Sequence, residues 1–515
     1  MKRSSVLLGI VPLLWMILAS ITLSSRGRFS PFDPDYYYLL SSLDLASLNS
    51  AGVYHHPGTT AEVFGAGVIR IVHFFQATPD DVQTAVLKDP ESFLWVINTL
   101  SALLNALGIL LLGLVAFNTT RNLWLSVLLQ LSPFLSSVIP LETIGRFKPE
   151  PFMLFACLLF IALVVHIQSR EKTSPWIALA FAVICGFGVA TKFTFIPVLV
   201  IPLVLVEGAK QKVLFIVGTL LATVAFTLPI ADKYPQLATW MSNVTFHTGL
   251  YGSGPAGLVN VSAYQKTFAA LFSSNTLFVS IVLFALLVMT PTMVSGFRSG
   301  EERPVRPALK VLGAIVLSQV LGFCLVAKYY LTPEANRYLF TSYCLLGLTL
   351  GLSVTHFLSA GYPLARIPRY IVLAILTLGI AMNLQHLARQ VSDAIQNTRH
   401  ARDFYTASES KMAFLESGDF KDYAFIFDLG FRTVQSGLYH AAIYSVAQQE
   451  TLLKVYGSMY FCSGCTESNW RMQTLRGFNF DKQWTADELI AKHLGKIVLV
   501  YGPTPTIYIM GRPHN

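Results

Sequence analysis

Residues 5–25 read SVLLGIVPLLWMILASITLSS, and the chain then turns acidic and aromatic at Phe32-Asp33-Pro34-Asp35-Tyr36-Tyr37-Tyr38. The apolar run is long enough to cross a bilayer, which takes about 20 residues. No small-x-small cleavage site stands out before Arg26, so the segment reads as a retained signal anchor. It delivers the acidic, aromatic stretch to a membrane surface. A second cluster, Tyr54-His55-His56-Pro57-Gly58, follows in the same loop.

The whole chain has the same character. Its 515 residues are 53% hydrophobic and 13% charged, where soluble domains carry about 25% charge. The sequence predicts a polytopic α-helical membrane protein whose constant partner is the lipid bilayer. The net charge of +9 fits basic residues kept on cytoplasmic loops. No basic run with interleaved aromatics points to nucleic acid.

Apolar runs between charged breaks predict about eleven transmembrane helices. They fall near 5–25, 92–117, 122–140, 151–168, 176–191, 193–207, 213–230, 273–296, 309–327, 338–357 and 370–388. With the N-terminus inside, the short inner loops carry Arg121, Arg170, Lys172, Lys210, Lys212, Arg298, Arg303, Arg306, Arg366 and Arg369. The outer loops are longer and poorer in positive charge, as the positive-inside rule requires. This places the first loop, 26–91, a second loop, 231–272, and the tail outside. Apolar spacing within the first loop predicts surface-lying helices over 36–51 and 60–76. The second loop holds Trp240, His247 and a glycine-rich run from Gly249 to Gly257, which reads either as a lid or as a turn-rich connection.

The organisation is then a transmembrane domain over 1–390 and a small soluble α/β domain over 391–515, outside the cytoplasm. Strand-like runs at Tyr423–Phe427 and Ile497–Tyr501 and a helix signal at 485–489 support the latter. Cys157, Cys185, Cys324 and Cys344 lie in apolar spans and read as buried, inert thiols. Cys462 and Cys465 form a C-x-x-C pair with no second pair to complete a zinc site. In an outside tail a short-range disulfide is favoured over two free thiols.

Five clusters can carry chemistry, each with a plainer alternative. Asp33 and Asp35 flank a proline at the membrane edge; they suit a general base, and Asp35 equally suits a helix cap. Tyr54, His55 and His56 suit contacts to phosphate or sugar hydroxyls, or form only a turn before a helix start. Glu142, Arg146, Lys148 and Glu150 place four charges in nine residues between apolar spans. They can pair with one another or hold a phosphate and a sugar. Lys192 is a lone cation between two apolar runs, either functional or snorkelling to the headgroups. Arg337 and Tyr338 open a late span and can grip a phosphate or anchor an aromatic belt. All five fall on the same face of the predicted topology, which points to one extracytoplasmic site.

These motifs, in this order, resemble those of GT-C class membrane glycosyltransferases, which include protein mannosyltransferases, lipid A aminoarabinose transferases and the RgtA/B/C/D-like group. The resemblance covers about residues 5–390 and rests on Asp35-Tyr36-Tyr37-Tyr38, His56-Pro57, Lys148-Pro149-Glu150, Gly188-Val189-Ala190-Thr191-Lys192 and Arg337-Tyr338-Leu339. It implies a polyprenyl- or dolichyl-phosphate-linked sugar as donor and a glycan, lipid or protein as acceptor. It also implies a catalytic base at Asp35, with Lys192 and Arg337 near the lipid phosphate. Two departures stand out. Relatives often carry a second acid directly after the first-loop aspartate, whereas here Tyr36 follows Asp35 and Asp33 precedes it. His56 replaces the lysine that some relatives carry before the proline.

A phosphate leaving group needs its developing charge stabilised, which Lys192, Arg337, Arg146 and Lys148 can do. No cofactor is required. A divalent metal is compatible with Asp33, Asp35, His55 and His56 as ligand types. A bacterial plasma membrane is favoured over the endoplasmic reticulum. The competing functions are a flippase or transporter of lipid-linked glycans and a glycan polymerase or ligase. A transporter would usually show internal repeats and midplane charges, neither of which stands out.

Overall fold

The protein is described here from a computed structural model. It describes residues 6–25, 35–168, 174–246, 248, 257, 261–299, 307–327 and 337–359, single positions between 377 and 396, and short strands between 458 and 511. Asp33, His247, residues 249–256, the helix signal at 485–489 and the side chains of Cys462 and Cys465 lie outside the described residues.

The N-terminal anchor forms α1 (Ile10–Ser25). The first loop then builds α2 (Asp35–Ala46), α3 (Thr59–Gln76) and α4 (Val82–Lys88). Long α5 (Pro90–Thr120) starts where Asp89 accepts a hydrogen bond from the Ser92 N–H and Pro90 occupies the first helical position. It is followed by two short helices, α6 (Leu123–Gln130) and α7 (Val138–Thr143). Next come α8 (Pro149–Ile167), α9 (Pro175–Thr191), α10 (Val200–Leu205), α11 (Ala209–Thr227) and α12 (Tyr234–Phe246). The helical part closes with α13 (Val261–Ser274), α14 (Thr276–Ser299), α15 (Pro307–Ala327), α16 (Phe340–Cys344) and α17 (Leu346–Ser359).

Among the described residues six helical runs are long and apolar enough to cross a membrane: Val6–Ser24, Pro90–Thr120, Pro149–Ile167, Ala209–Phe246, Ala308–Ala327 and Arg337–Phe357. A bent pair, α13 with the first part of α14, makes a seventh if it counts as one span, broken by 105°. Two shorter apolar pieces, Pro175–Thr191 and Phe193–Leu205, coincide with the expected spans at 176–191 and 193–207. The chain is a multi-pass helical membrane protein.

Three sequence expectations change. The span expected over 122–140 is broken into α6, a 3-10 turn at Ser132–Phe134, and α7. Pro133 and Pro140 deny it a continuous hydrogen-bond ladder, and Ser132 instead donates to the Cys344 carbonyl and accepts from Gly347 N–H. The helix expected to lie on the surface from residue 36 ends at Ala46 and is largely buried, with Tyr36, Leu39, Leu40 and Leu43 inside. It packs between α3 and the loop that precedes α8. Cys157, Cys185 and Cys344 are buried as expected, while Cys324 is exposed.

Small residues let the central helices approach closely. A side chain on Gly186 would meet Ala222 of α11 at 2.4 Å, and one on Gly218 would meet Ala182 of α9 at 2.9 Å. After α9 the chain reverses over Gly188, where a Cβ would sit 2.6 Å from the Phe195 ring.

In the tail, β1 (Ser458–Tyr460), β2 (Ser463–Thr466), β3 (Asn469–Arg471), β4 (Ile497–Val500) and β5 (Ile507–Gly511) form two antiparallel sheets. One has the order β1-β5-β4, the other pairs β2 with β3. Strand β4 falls on the expected run from Ile497.

Candidate active site

The site forms where α8 begins and α9 ends. Pro149 sets the first turn of α8 and Glu150 stands within it, where the helix N-terminus favours a carboxylate. Lys192 directly follows the last residue of α9 in extended conformation, where a helix C-terminus favours a cation. The two helices pack together, so Lys192 Nζ meets Glu150 Oε1 at 2.5 Å. Lys148 Nζ lies 3.9 Å from the other Glu150 oxygen and pairs with Glu142. Arg146 reaches Glu142 at 3.6 Å. Lys148, Glu150 and Lys192 are buried, at 3%, 3% and 5% exposure. Of the two readings of residues 142–150, the structure displays the mutual pairing, and Lys192 joins it through Glu150.

The late span adds Tyr338 and Arg337. The Lys192 ammonium lies 5.0 Å from the centre of the Tyr338 ring, within cation–π range. The exposed Arg337 guanidinium lies 5.1 Å from the same ring and donates to the Tyr338 hydroxyl at 3.3 Å.

The first loop reaches the cluster through His56. Its ring stands 4.8 Å from Trp240 and 6.3 Å from Tyr338, centre to centre. Tyr54 packs on His55 at 4.3 Å, and His55 meets Trp240 edge-on at 5.9 Å. His56 holds a backbone φ of 75°, a left-handed conformation uncommon for a side-chain-bearing residue and costing on the order of 1 kcal/mol. Desolvation, followed by the nearby Lys192 ammonium, pushes its pKa well below the usual imidazole value, so the ring is neutral at pH 7. Gly58 has φ 75°, and a Cβ there would sit 2.7 Å from the Tyr38 ring, so only glycine fits. The loop is fastened to the end of α9: Gly58 N–H donates to the Thr191 carbonyl at 3.3 Å, and the Thr60 and Thr191 hydroxyls lie 2.7 Å apart.

Asp35 is 2% exposed at the start of α2. Its Oδ1 accepts a 3.1 Å hydrogen bond from the Phe147 N–H. Phe147 stands between Arg146 and Lys148, so Asp35 grips the segment that presents both cations. Neither the cap reading nor the base reading anticipates this bond.

Four segments thus converge: Tyr54–His56, Glu142–Glu150 with Asp35 behind it, Lys192, and Arg337–Tyr338. Trp240 of α12 was placed by sequence only within a connecting loop, yet it contacts both histidines and stacks on Phe193 at 6.2 Å. The histidines are nearly two hundred positions away in sequence, so local pattern gave no sign of them. Among the described residues no group of three His, Cys, Asp or Glu is placed to hold a metal ion.

No protein-family model matches the chain, and no curated protein matches it by sequence. Among solved structures it is similar to ArnT from Cupriavidus metallidurans bound to undecaprenyl phosphate. The two share 13% identity and a TM-score of 0.43, over 75% of this chain and 73% of that one. A likeness at that level decides neither fold nor function.

Proposed function

We propose that the protein is an integral-membrane glycosyltransferase that moves a sugar from a polyprenyl- or dolichyl-phosphate donor to a glycan, lipid or protein hydroxyl on the extracytoplasmic side. The observation that carries this reading is the charge balance of the site. Arg146, Lys148, Lys192 and Arg337 outnumber Glu142, Glu150 and Asp35, which leaves an excess of one positive charge beside the rings of His56, Trp240 and Tyr338. A sugar phosphodiester carries one negative charge, and the released phosphomonoester carries close to two. A surplus of fixed cations therefore stabilises the departing group more than the bound donor, which is what lowers the barrier. The aromatic rings suit the apolar faces of a sugar.

In this reading the acceptor oxygen attacks the anomeric carbon and the bond from that carbon to the phosphate oxygen breaks. The electron pair passes to the phosphate, and the acceptor's proton goes to Asp35. The Phe147 N–H on Oδ1 fixes the orientation of that carboxylate. Asp33, two residues earlier, is the alternative acceptor of the proton. Lys192 and Arg337 hold the phosphate directly; Lys148 and Arg146 reinforce them. Tyr54, His55, His56, Glu142, Glu150 and Tyr338 line the sugar and acceptor positions.

The test is transfer by purified protein from a polyprenyl-phosphate sugar, followed as release of polyprenyl phosphate. A flippase or transporter would move the donor intact and release none. Residues 391–515 form a small extracytoplasmic domain in this reading. A cysteine at position 420 should react with a membrane-impermeant reagent in intact cells; labelling only after lysis overturns the sidedness.

A further inference from the structure

Glu62 takes no part in the proposed chemistry. It stands in the first turn of α3, 0% exposed, beneath the loop that carries His55 and His56. Its Oε1 accepts a hydrogen bond from the Ser41 hydroxyl at 2.7 Å, and the same Ser41 oxygen accepts the Val53 N–H at 3.0 Å. Glu62, Ser41 and the backbone of Val53 form a relay from the helix to the loop. Glu62 Oε2 is buried and has no hydrogen-bond partner among the described residues.

The charged groups facing Glu62 are Asp44 of α2, which repels its ionised form, and Lys233, before α12, which attracts it. Lys233 also acts elsewhere, since its ammonium donates to the Ala51 carbonyl. Beside it, Ala51 N–H donates to the Pro229 carbonyl at 3.2 Å, and Ser50 donates to Asp232 at 2.9 Å. The loop 51–58 is therefore held at one end by Lys233, in the middle by Ser41, and at the other end by Thr191.

We propose that Glu62 is a positioning residue for the His55–His56 loop, which it holds in place as a neutral acid and loosens when it ionises. A neutral carboxyl leaves Lys233 on Ala51 and Ser41 on Val53. A carboxylate at the same place draws the Lys233 ammonium toward itself and away from Ala51, because a buried charge requires a partner. Burial pushes the Glu62 pKa up to about 8, so the change falls at the alkaline edge of the ordinary working range.

The test uses full-length protein in detergent. Diethyl pyrocarbonate, with free imidazole as a reference for reagent strength, reports how open the loop histidines are, and it does so without reference to any activity. In the wild type, His55 and His56 should react at least threefold faster at pH 9 than at pH 7. Glu62→Gln, which stays neutral and can still accept from Ser41, should abolish that step. Ser41→Ala should raise reactivity already at pH 7. An equal step in wild type and Glu62→Gln overturns the proposal, and so does a Ser41→Ala protein with wild-type reactivity at both pH values. The activity arm rests on the transferase reading: sugar transfer by the wild type should fall through pH 8, and Glu62→Gln should lose that limb. If no transfer is seen in either protein while the modification step is lost in Glu62→Gln, the transferase reading fails and the positioning role stands.

Discussion

Glu150 and Glu62 occupy the same place in two helices, the first turn, and both are buried, yet their surroundings are opposite. Glu150 meets two ammonium groups, Lys192 at 2.5 Å and Lys148 at 3.9 Å. Glu62 meets a serine hydroxyl and, further off, Asp44 and Lys233. The helix N-terminus favours a carboxylate at either place by about 0.3–1 kcal/mol. Burying an ion costs several kcal/mol, so the partner decides the outcome. Charge is retained where two lysines make ion pairs and suppressed where the direct contact is a serine hydroxyl. In the proposed reading the first region meets an anionic substrate, whereas the second holds a shape.

The comparison breaks most sharply if the Glu150 region is not a reaction centre. Asp35→Asn should lower transfer by about 100- to 10,000-fold, the usual cost of losing a general base. The asparagine oxygen can still accept the Phe147 N–H, so donor binding should survive, as measured with a labelled polyprenyl-phosphate sugar. Turnover near normal would leave Asp35 as a grip on the segment bearing Arg146 and Lys148. If Asp33→Asn were then inactive, the base would be Asp33.

Next in size is Lys192→Met. Removing one partner of a buried ion pair costs about 3–5 kcal/mol, so the melting temperature should fall and donor binding should be lost. Combining it with Glu150→Gln should restore most of the melting temperature and none of the binding. A double variant as unstable as the single one would show that Lys192 is not kept for Glu150.

A smaller effect of opposite sign is expected at Glu62. Its folded pKa is about 8 against an ordinary 4.5, so the folded protein binds more protons than the unfolded chain between those values. Stability contributed at this position therefore falls as pH rises from about 4.5 to about 8 and is level above that. Glu62→Gln should be the more stable protein at pH 7, by on the order of 3 kcal/mol. The gain should vanish near pH 4, where both side chains are neutral. Melting curves across pH measure it, and a gain independent of pH would contradict the neutral-acid assignment.

The smallest effect is expected at Arg337, which is exposed and screened by solvent. Arg337→Ala should weaken donor binding by about tenfold or less, a loss of roughly 1 kcal/mol. The loss should shrink at high salt and leave the melting temperature unchanged.

Much of this fold was legible because a membrane span declares itself locally. Expected spans at 5–25, 92–117, 151–168, 309–327 and 338–357 fall on apolar helices of the structure with small shifts at their ends. The span at 122–140 misled because apolarity outweighed Pro133, Pro140 and the buried Ser132. At the site, Glu142 to Glu150 was legible as a dense run of charge, and Lys192 as an isolated one. Their pairing was not, since it depends on α8 and α9 packing antiparallel. Trp240 and Glu62 were not legible as site-shaping residues. The first needs contacts across the whole chain, and the second lies in a helix whose burial comes from α2 rather than from its own pattern.

The bonds from Gly58, Thr59 and Thr60 to Ala190 and Thr191 span 131 to 133 positions of sequence. A ribosome adding about 5–20 residues per second supplies those partners on the order of ten seconds after the loop itself is made. Throughout that interval the histidine loop has been synthesised and lacks its anchorage at the Gly58 end, until α9 has been inserted. Biogenesis thus sets an order that the finished molecule conceals: the lipid-embedded scaffold comes first and the candidate site is assembled on it. An arrest of translation before residue 190 would yield a chain with every first-loop residue in place and no site.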